Sequence, residues 1–183
     1  MVSSVYSKVA LRALMGMCLL WLVSPVAHAE TVYQSPEEFL RATFPEKLPE
    51  THELWHTKEL RAQIKQLIGR TPFGARTRYW QSAGRSVWVL DEIGKEEAIT
   101  FGVVVEQQKI SQIKVLVYRE SRGWEIRSDA FTQQFAQAQL TQDNKLSKSI
   151  DGITGATLSV RAMEKMAKLA LFLDAKVAAM ETK

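Results

Sequence analysis

The sequence predicts an α+β fold, an antiparallel β meander flanked by N-terminal helices and a long C-terminal helix. Apolar residues recur at helical spacing towards both ends of the chain, whereas residues 76–119 are rich in Val, Ile, Trp, Tyr and Phe. Short turns separate these central strands. They require antiparallel neighbours, because parallel strands need a crossover of a dozen or more residues.

The first 29 residues have the three parts of a secretory signal. Lys8 and Arg12 lie in a polar start, residues 13–23 form an apolar run, and Ala27-His28-Ala29 precedes Glu30. The apolar run is well short of the roughly 20 residues that span a bilayer as a helix. We therefore expect residues 1–29 to be a cleaved signal peptide and the protein to be periplasmic or otherwise extracytoplasmic. A retained leader that associates the protein with the membrane is the alternative.

The charge and cysteine content of the chain without its leader exclude several classes of function. The whole chain has 24 basic and 20 acidic residues, and two of the basic residues lie in the leader, so the net charge falls from +4 to +2. This charge gives no support for a nucleic-acid partner. The single cysteine, Cys18, also lies in the leader. Without it the chain can form no disulfide, iron–sulfur cluster or thioether-linked haem.

The remaining chain divides into an N-terminal helical segment, 30–74, and a main domain, 75–183. In the first segment, Ser35 and Glu38 form a capping box around Pro36, and this helix ends at Phe44-Pro45. We predict further helices over 50–68, over 129–140 with Asp129 as its cap, and over 158–180. The predicted strands are 76–82, 86–93, 97–106 and 109–119.

Residues 151–159, D-G-I-T-G-A-T-L-S, carry the chemistry of the chain. Two glycines and a small alanine allow a backbone that approaches a ligand closely. Thr157 falls at the predicted N-cap of the last helix, where unpaired N–H groups and the helix dipole favour an anion such as phosphate. The ordinary alternative is a capping threonine that follows a tight turn.

This stretch resembles the FMN-binding domain family, found in the flavin-carrying periplasmic subunits of sodium-pumping quinone reductase and of the Rnf electron-transport complex. The family signature is an Asp, a few small residues, Ser or Thr, then Gly-Ala-Thr and a further Ser or Thr. It matches here at Asp151, Thr154, Gly155, Ala156, Thr157 and Ser159. The resemblance covers about residues 98–177 and includes the loop 119–124. That loop reads Glu-Ser-Arg-Gly where the larger complexes have Glu-Thr-Pro-Gly.

The resemblance implies a function and a cofactor. It identifies 75–183 as an FMN-binding domain that carries FMN covalently through a phosphoester to Thr157. A separate flavin transferase would take FAD, use magnesium and release AMP. Gly155 and Ala156 would leave room for the phosphate, and Asp151 would help to shape the loop. We nominate Gly123 and Trp124 as candidates to hold the isoalloxazine ring, with core packing as the alternative role of Trp124.

An electron carrier is the function that we expect, with a membrane or periplasmic redox protein as donor or acceptor. The chain has no G-x-G-x-x-G nucleotide motif and no obvious acid–base constellation near the flavin motif, so we assign no catalytic residue. A flavin enzyme acting on a small acceptor stays open. A secreted binding module without a cofactor, which offers an edge strand to a partner, is a further alternative.

A second motif competes with this interpretation. Residues 52–56 read H-E-L-W-H, the pattern in which two His side chains one helical turn apart bind zinc and the Glu acts as a general base. It falls within the helix predicted over 50–68. No His follows His56, and the Glu residues at 92, 96 and 97 lie in strand and turn segments. We therefore assign no metal ligand and keep a zinc metallopeptidase as an alternative.

The leader generates the first testable prediction. We expect protein exported by a bacterial host to begin at Glu30, because the small residues Ala27 and Ala29 are those that signal peptidases accept before the cut. N-terminal sequencing or intact mass measures this directly. An exported protein that still begins at Met1 would contradict the prediction.

Overall fold

The computed structural model describes residues 30–181 of the chain and shows the predicted α+β fold. The predicted signal peptide, 1–29, lies outside the described residues. The strands are β1 (Thr31–Val32), β2 (Thr51–Trp55), β3 (Arg76–Ser82), β4 (Arg85–Ile93), β5 (Ala98–Glu106) and β6 (Lys109–Tyr118). The helices are α1 (Pro36–Thr43), α2 (Lys58–Ile68), α3 (Asp129–Thr132) and α4 (Thr157–Glu181), with single 3₁₀ turns at Trp124–Arg127 and Gln133–Phe135.

The six strands form one antiparallel sheet in the order β1-β6-β5-β4-β3-β2. Strands β3 to β6 are the predicted meander, with bounds within one residue of the expected ones. Both edge strands come from the segment 30–74. Strand β2 pairs with β3 and β1 pairs with β6, so the ends of this segment lie at opposite edges of the sheet.

Two tight turns set the register of the meander. Ala83-Gly84 joins β3 to β4 and Gln107-Gln108 joins β5 to β6, and all four residues have positive φ. Two-residue hairpin loops of this kind match the twist of the strands that they connect. The link between β4 and β5 is longer, and the N–H of Gly94 donates to the carbonyl of Glu97 across it (3.0 Å). This longer turn contributes to the candidate site.

The sheet is covered on both faces. The long helix α4 packs across β4 and β5 together with α2, over a core that includes Trp88, Phe101 and Met163, all fully buried. Helix α1 covers the other face with Phe39, Leu40 and Phe44. Its capping box is present as predicted, since Ser35 and Glu38 exchange hydrogen bonds between side chain and backbone. Within residues 30–181, no helix combines the length and apolar character that crossing a membrane requires.

Two predicted helices differ from the structure. The helix expected over 50–68 begins only at Lys58, because residues 51–55 pair with β3 as an edge strand. The helix expected over 129–140 ends after one α-helical turn and one 3₁₀ turn, and its N-cap is Ser128 instead of Asp129. Gln137 has a φ of 64°, and the segment after it bonds to Ile110 of β6. In both cases sheet contacts override the local helical pattern.

Helix α1 approaches the sheet closely at Gly102 of β5. A Cβ atom there would lie 2.5 Å from the ring of Phe39, which is 1% exposed. We expect Gly102→Ala to lower the free energy of unfolding by about 1–3 kcal/mol, because the buried ring has to move. Urea denaturation measures this. Gly152→Ala is the control, since its Cβ would meet no atom within 4 Å, and an equal loss in both variants would contradict the argument.

Candidate functional site

The predicted phosphate motif forms a tight turn followed by the start of α4. The N–H of Ala156 donates to the carbonyl of Ile153 (3.0 Å), and Gly155 has a φ of 84°, a conformation that favours glycine at this place in the turn. The carbonyl of Ala156 then accepts the first helical hydrogen bond, from Val160 (3.0 Å). Ala156 therefore has the N-cap position and Thr157 is the first helical residue, so the helix begins one residue earlier than predicted.

Burial separates Thr157 from its neighbours. The side chains of Ala156 and Ser159 are buried, at 3% and 4% exposed, whereas Thr157 is exposed. The two buried residues fix the helix start against the protein, and the hydroxyl of Thr157 is left at the surface.

A cavity of about 560 Å³ lies beside the start of α4. Four of the predicted cofactor-binding residues line it, namely Gly155, Ala156, Thr157 and Ser159. Its other lining residues were not assigned from the sequence and are Lys95, Glu120, Ser121, Arg122 and Leu158. The volume is within the range of small-molecule sites, about 300–1,000 Å³.

Four predicted residues do not line this cavity, namely Asp151, Thr154, Gly123 and Trp124. Asp151 is exposed, and its N–H donates to the side-chain oxygen of Gln134 (2.7 Å), which fixes the backbone where the motif begins. Thr154 is exposed in the turn. Trp124 is 50% exposed and its ring lies 5.3 Å from the guanidinium carbon of Arg127, so the alternative of core packing for Trp124 is wrong.

Gly123 does not line the cavity but lies against Ala156 and Ser159, which do. A Cβ atom on it would lie 2.7 Å from the Ser159 hydroxyl and 2.9 Å from that of Tyr118. Tyr118 donates to the carbonyl of Arg122 (2.5 Å) and lies 3.1 Å from the Ser159 hydroxyl. Because a phenol has one proton, the Ser159 hydroxyl is the donor in the second contact. Burial raises the pKa of Tyr118, so its proton stays in this network at neutral pH.

Glu120 connects the cavity to the turn between β4 and β5. One oxygen of its carboxylate accepts the backbone N–H groups of Lys95, of Glu96 (2.7 Å) and of Glu97 (3.0 Å). The sequence alone indicates two separate loops, one at residues 94–95 and one at residues 119–124. Their contact links residues about 25 positions apart, and no local pattern indicates it.

Positive charge at the cavity comes from Lys95 and Arg122. The pKa of Lys95 is raised, mainly by its hydrogen bond to Glu96. The nearby charge of Arg122 lowers this pKa by a smaller amount. Lys95 therefore stays protonated at neutral pH. These two cations and an exposed hydroxyl suit a ligand that carries a phosphate.

The competing zinc motif does not form a metal site. His52 and Glu53 lie on strand β2 instead of a helix, and the His52 ring stacks on Tyr79 at 5.2 Å. The His56 ring is bonded to the Gly74 carbonyl (3.3 Å) and to the Thr77 hydroxyl (2.8 Å), which uses both ring nitrogens. Burial lowers the pKa of His56. In the described part of the chain, no three His, Cys, Asp or Glu side chains lie close enough together to hold a metal ion.

Comparison with known proteins identifies the family. Residues 94–171 match the model of the FMN-binding domain family, from the turn that carries Lys95 to the middle of α4. This part of the chain is an FMN-binding domain of that family, which supports an FMN-binding flavoprotein. The match includes the residues that line the cavity. A search of curated proteins found no match to the chain.

The closeness of Gly123 to α4 generates a stability prediction. We expect Gly123→Ala to lower the free energy of unfolding by about 1–3 kcal/mol beyond the cost of its positive φ, because the new methyl group meets two buried hydroxyls. Gly69→Ala is the matched control, with a similar φ of 82° but open space around it. Urea denaturation of both variants gives the difference, and equal losses would rule out the contact.

Proposed function

We propose that the protein is an exported electron carrier whose FMN is bound covalently, through a phosphoester, to the hydroxyl of Thr157. One observation carries this proposal. Thr157 is exposed at the cavity while the residues beside it, Ala156 and Ser159, are buried. A second protein can therefore reach the hydroxyl without unfolding the start of α4.

The bond is made by a separate flavin transferase, which uses FAD and magnesium. The Thr157 oxygen attacks the phosphorus next to the riboflavin part of FAD and the pyrophosphate bond breaks. AMP leaves, and the hydroxyl proton is released. The cavity supports an external catalyst, because its lining includes no histidine and one oxygen of its single carboxylate, Glu120, accepts three backbone N–H groups. A secondary hydroxyl is a weak nucleophile, which a separate enzyme would activate.

The residues at the cavity are suited to the phosphate end of FMN. The hydroxyl of Thr157 is the attachment point, and Gly155 and Ala156 add little bulk beside it. Bound FMN would supply one- and two-electron transfer. Gly123 and Trp124 remain our candidates for contact with the isoalloxazine ring. Gly123 lies against the Ala156 and Ser159 side chains, and the Trp124 ring beside it is half exposed.

A tethered flavin fits a location outside the cytoplasm. A dissociated cofactor would be diluted there and lost, and a covalent bond removes that loss. We propose a membrane or periplasmic redox protein as the electron donor or acceptor. We favour the carrier over a flavin enzyme because the cavity lining has no histidine and a single carboxylate, one oxygen of which accepts three backbone N–H groups.

Loss of the Thr157 hydroxyl tests the proposal. Wild-type protein produced with a flavin transferase should keep a yellow, fluorescent band on a denaturing gel, and Thr157→Ala should abolish it. Thr154→Ala is the matched control, since Thr154 is also exposed, lies three residues earlier and does not line the cavity. It should keep the wild-type fluorescence.

Mass spectrometry of the labelled peptide then identifies the modified residue. We expect the mass of FMN, less one water, on Thr157. A colourless wild-type band in the presence of an active transferase would refute covalent attachment, as would flavin that remains on the Thr157→Ala protein. A cofactor-free binding module, in contrast, would give no flavin in either the native or the denatured protein.

A further inference from the structure

Two cationic side chains lie at the cavity with Thr157, and neither belongs to the phosphate motif. Lys95 comes from the turn between β4 and β5, and Arg122 comes from the loop after β6. The sequence pattern assigned a role to neither of them, so their charge at the cavity needs its own explanation.

Contacts with the protein fix the backbone that carries each cation. The Tyr118 hydroxyl holds the carbonyl of Arg122, and the absence of a side chain at Gly123 lets the loop lie directly on α4. The Glu120 carboxylate holds the backbone N–H of Lys95. Both charged residues are thus tied to the same short loop, which itself packs on the helix that begins at Thr157.

The two charges are available to a ligand. Within residues 30–181, no ion pair includes Arg122, and the ion pair of Lys95 with Glu96 is exposed, at 71% and 57%, and therefore weak. Glu120 is the acidic residue of the lining, and one of its oxygens accepts three backbone N–H groups. The cavity consequently favours an anion.

We propose that Arg122 and Lys95 bind the phosphate of FMN, so that the protein distinguishes FMN from riboflavin even without the bond to Thr157. The identity of the ligand rests on the proposed function, but the charge recognition does not require covalent attachment. An arginine fork and a lysine ammonium both suit phosphate oxygens. Riboflavin has the same ring system and side chain without that phosphate, which makes it the appropriate comparison.

The test uses the full mature chain, produced without a flavin transferase and titrated with FMN or riboflavin while flavin fluorescence is followed. We expect FMN to bind about tenfold more tightly than riboflavin, and Arg122→Gln and Lys95→Gln each to weaken FMN binding about threefold to fivefold. Riboflavin binding should not change. Inorganic phosphate should compete with FMN and leave riboflavin unaffected.

Lys145→Gln is the control variant, because Lys145 is an exposed cation that does not line the cavity. It should bind both flavins as the wild type does. Circular dichroism of every variant should match the wild type, since the substituted side chains lie at the surface of the cavity or outside it. Equal affinities of the wild type for the two flavins, no measurable FMN binding, or unchanged FMN binding in both cavity variants would overturn the proposal.

Thr157→Ala separates this proposal from the covalent one. If charge recognises the phosphate, the variant keeps its preference for FMN over riboflavin although no bond can form. A preserved preference together with a colourless denatured wild type would refute the attachment and support the charge recognition. If Thr157 is labelled normally but the protein binds FMN and riboflavin equally well, the covalent attachment is supported and the charge recognition is refuted.

Discussion

Tyr118 joins three parts of the molecule through one buried hydroxyl. It lies at the end of β6, donates to the carbonyl of Arg122 in the following loop, and accepts from Ser159 in the first turn of α4. Gly123 makes this possible, because any side chain there would occupy the space of the Ser159 and Tyr118 hydroxyls. The position of the loop against the helix, and with it the shape of the cavity, depends on this contact.

The position of the cavity also depends on the contacts that hold α4 against the sheet. Eleven buried residues of this helix hold it against the sheet, and Lys165 adds an ion pair to Glu92 of β4 (3.0 Å). Glu92 is 2% exposed and also pairs with Arg70, so its charge is compensated from both sides. A helix that is fixed along its length presents its first residue in a defined place. Thr157 is that first residue, and it is exposed.

The segment before the family domain is part of the same sheet. Its two strands pair with β3 and β6, and Phe39 of α1 packs on Gly102 in the middle of β5. The sequence pattern indicated helices here because Leu60, Ile64, Leu67 and Ile68 have helical spacing, and those four residues are indeed in α2. The residues before them have no comparable pattern. Strand β2 forms because β3 offers an unpaired edge, which only the folded sheet supplies.

Local patterns by themselves determined the meander, α1 and most of α4, because alternation, turn residues and a capping box act within a few positions of one another. The resemblance of residues 151–159 to the family motif indicated Thr157 as the attachment residue, but its exposure is a finding of the structure. The tertiary structure decided that Lys95, Glu120 and Arg122 line the same cavity as Thr157, and that Asp151, Thr154, Gly123 and Trp124 do not line it. The residues that meet there are separated by about 25 to 60 positions in the chain, and the pairing of strands and the packing of α4 bring them together. A spacing rule describes neighbours along a helix or strand, and it has no means of describing such contacts.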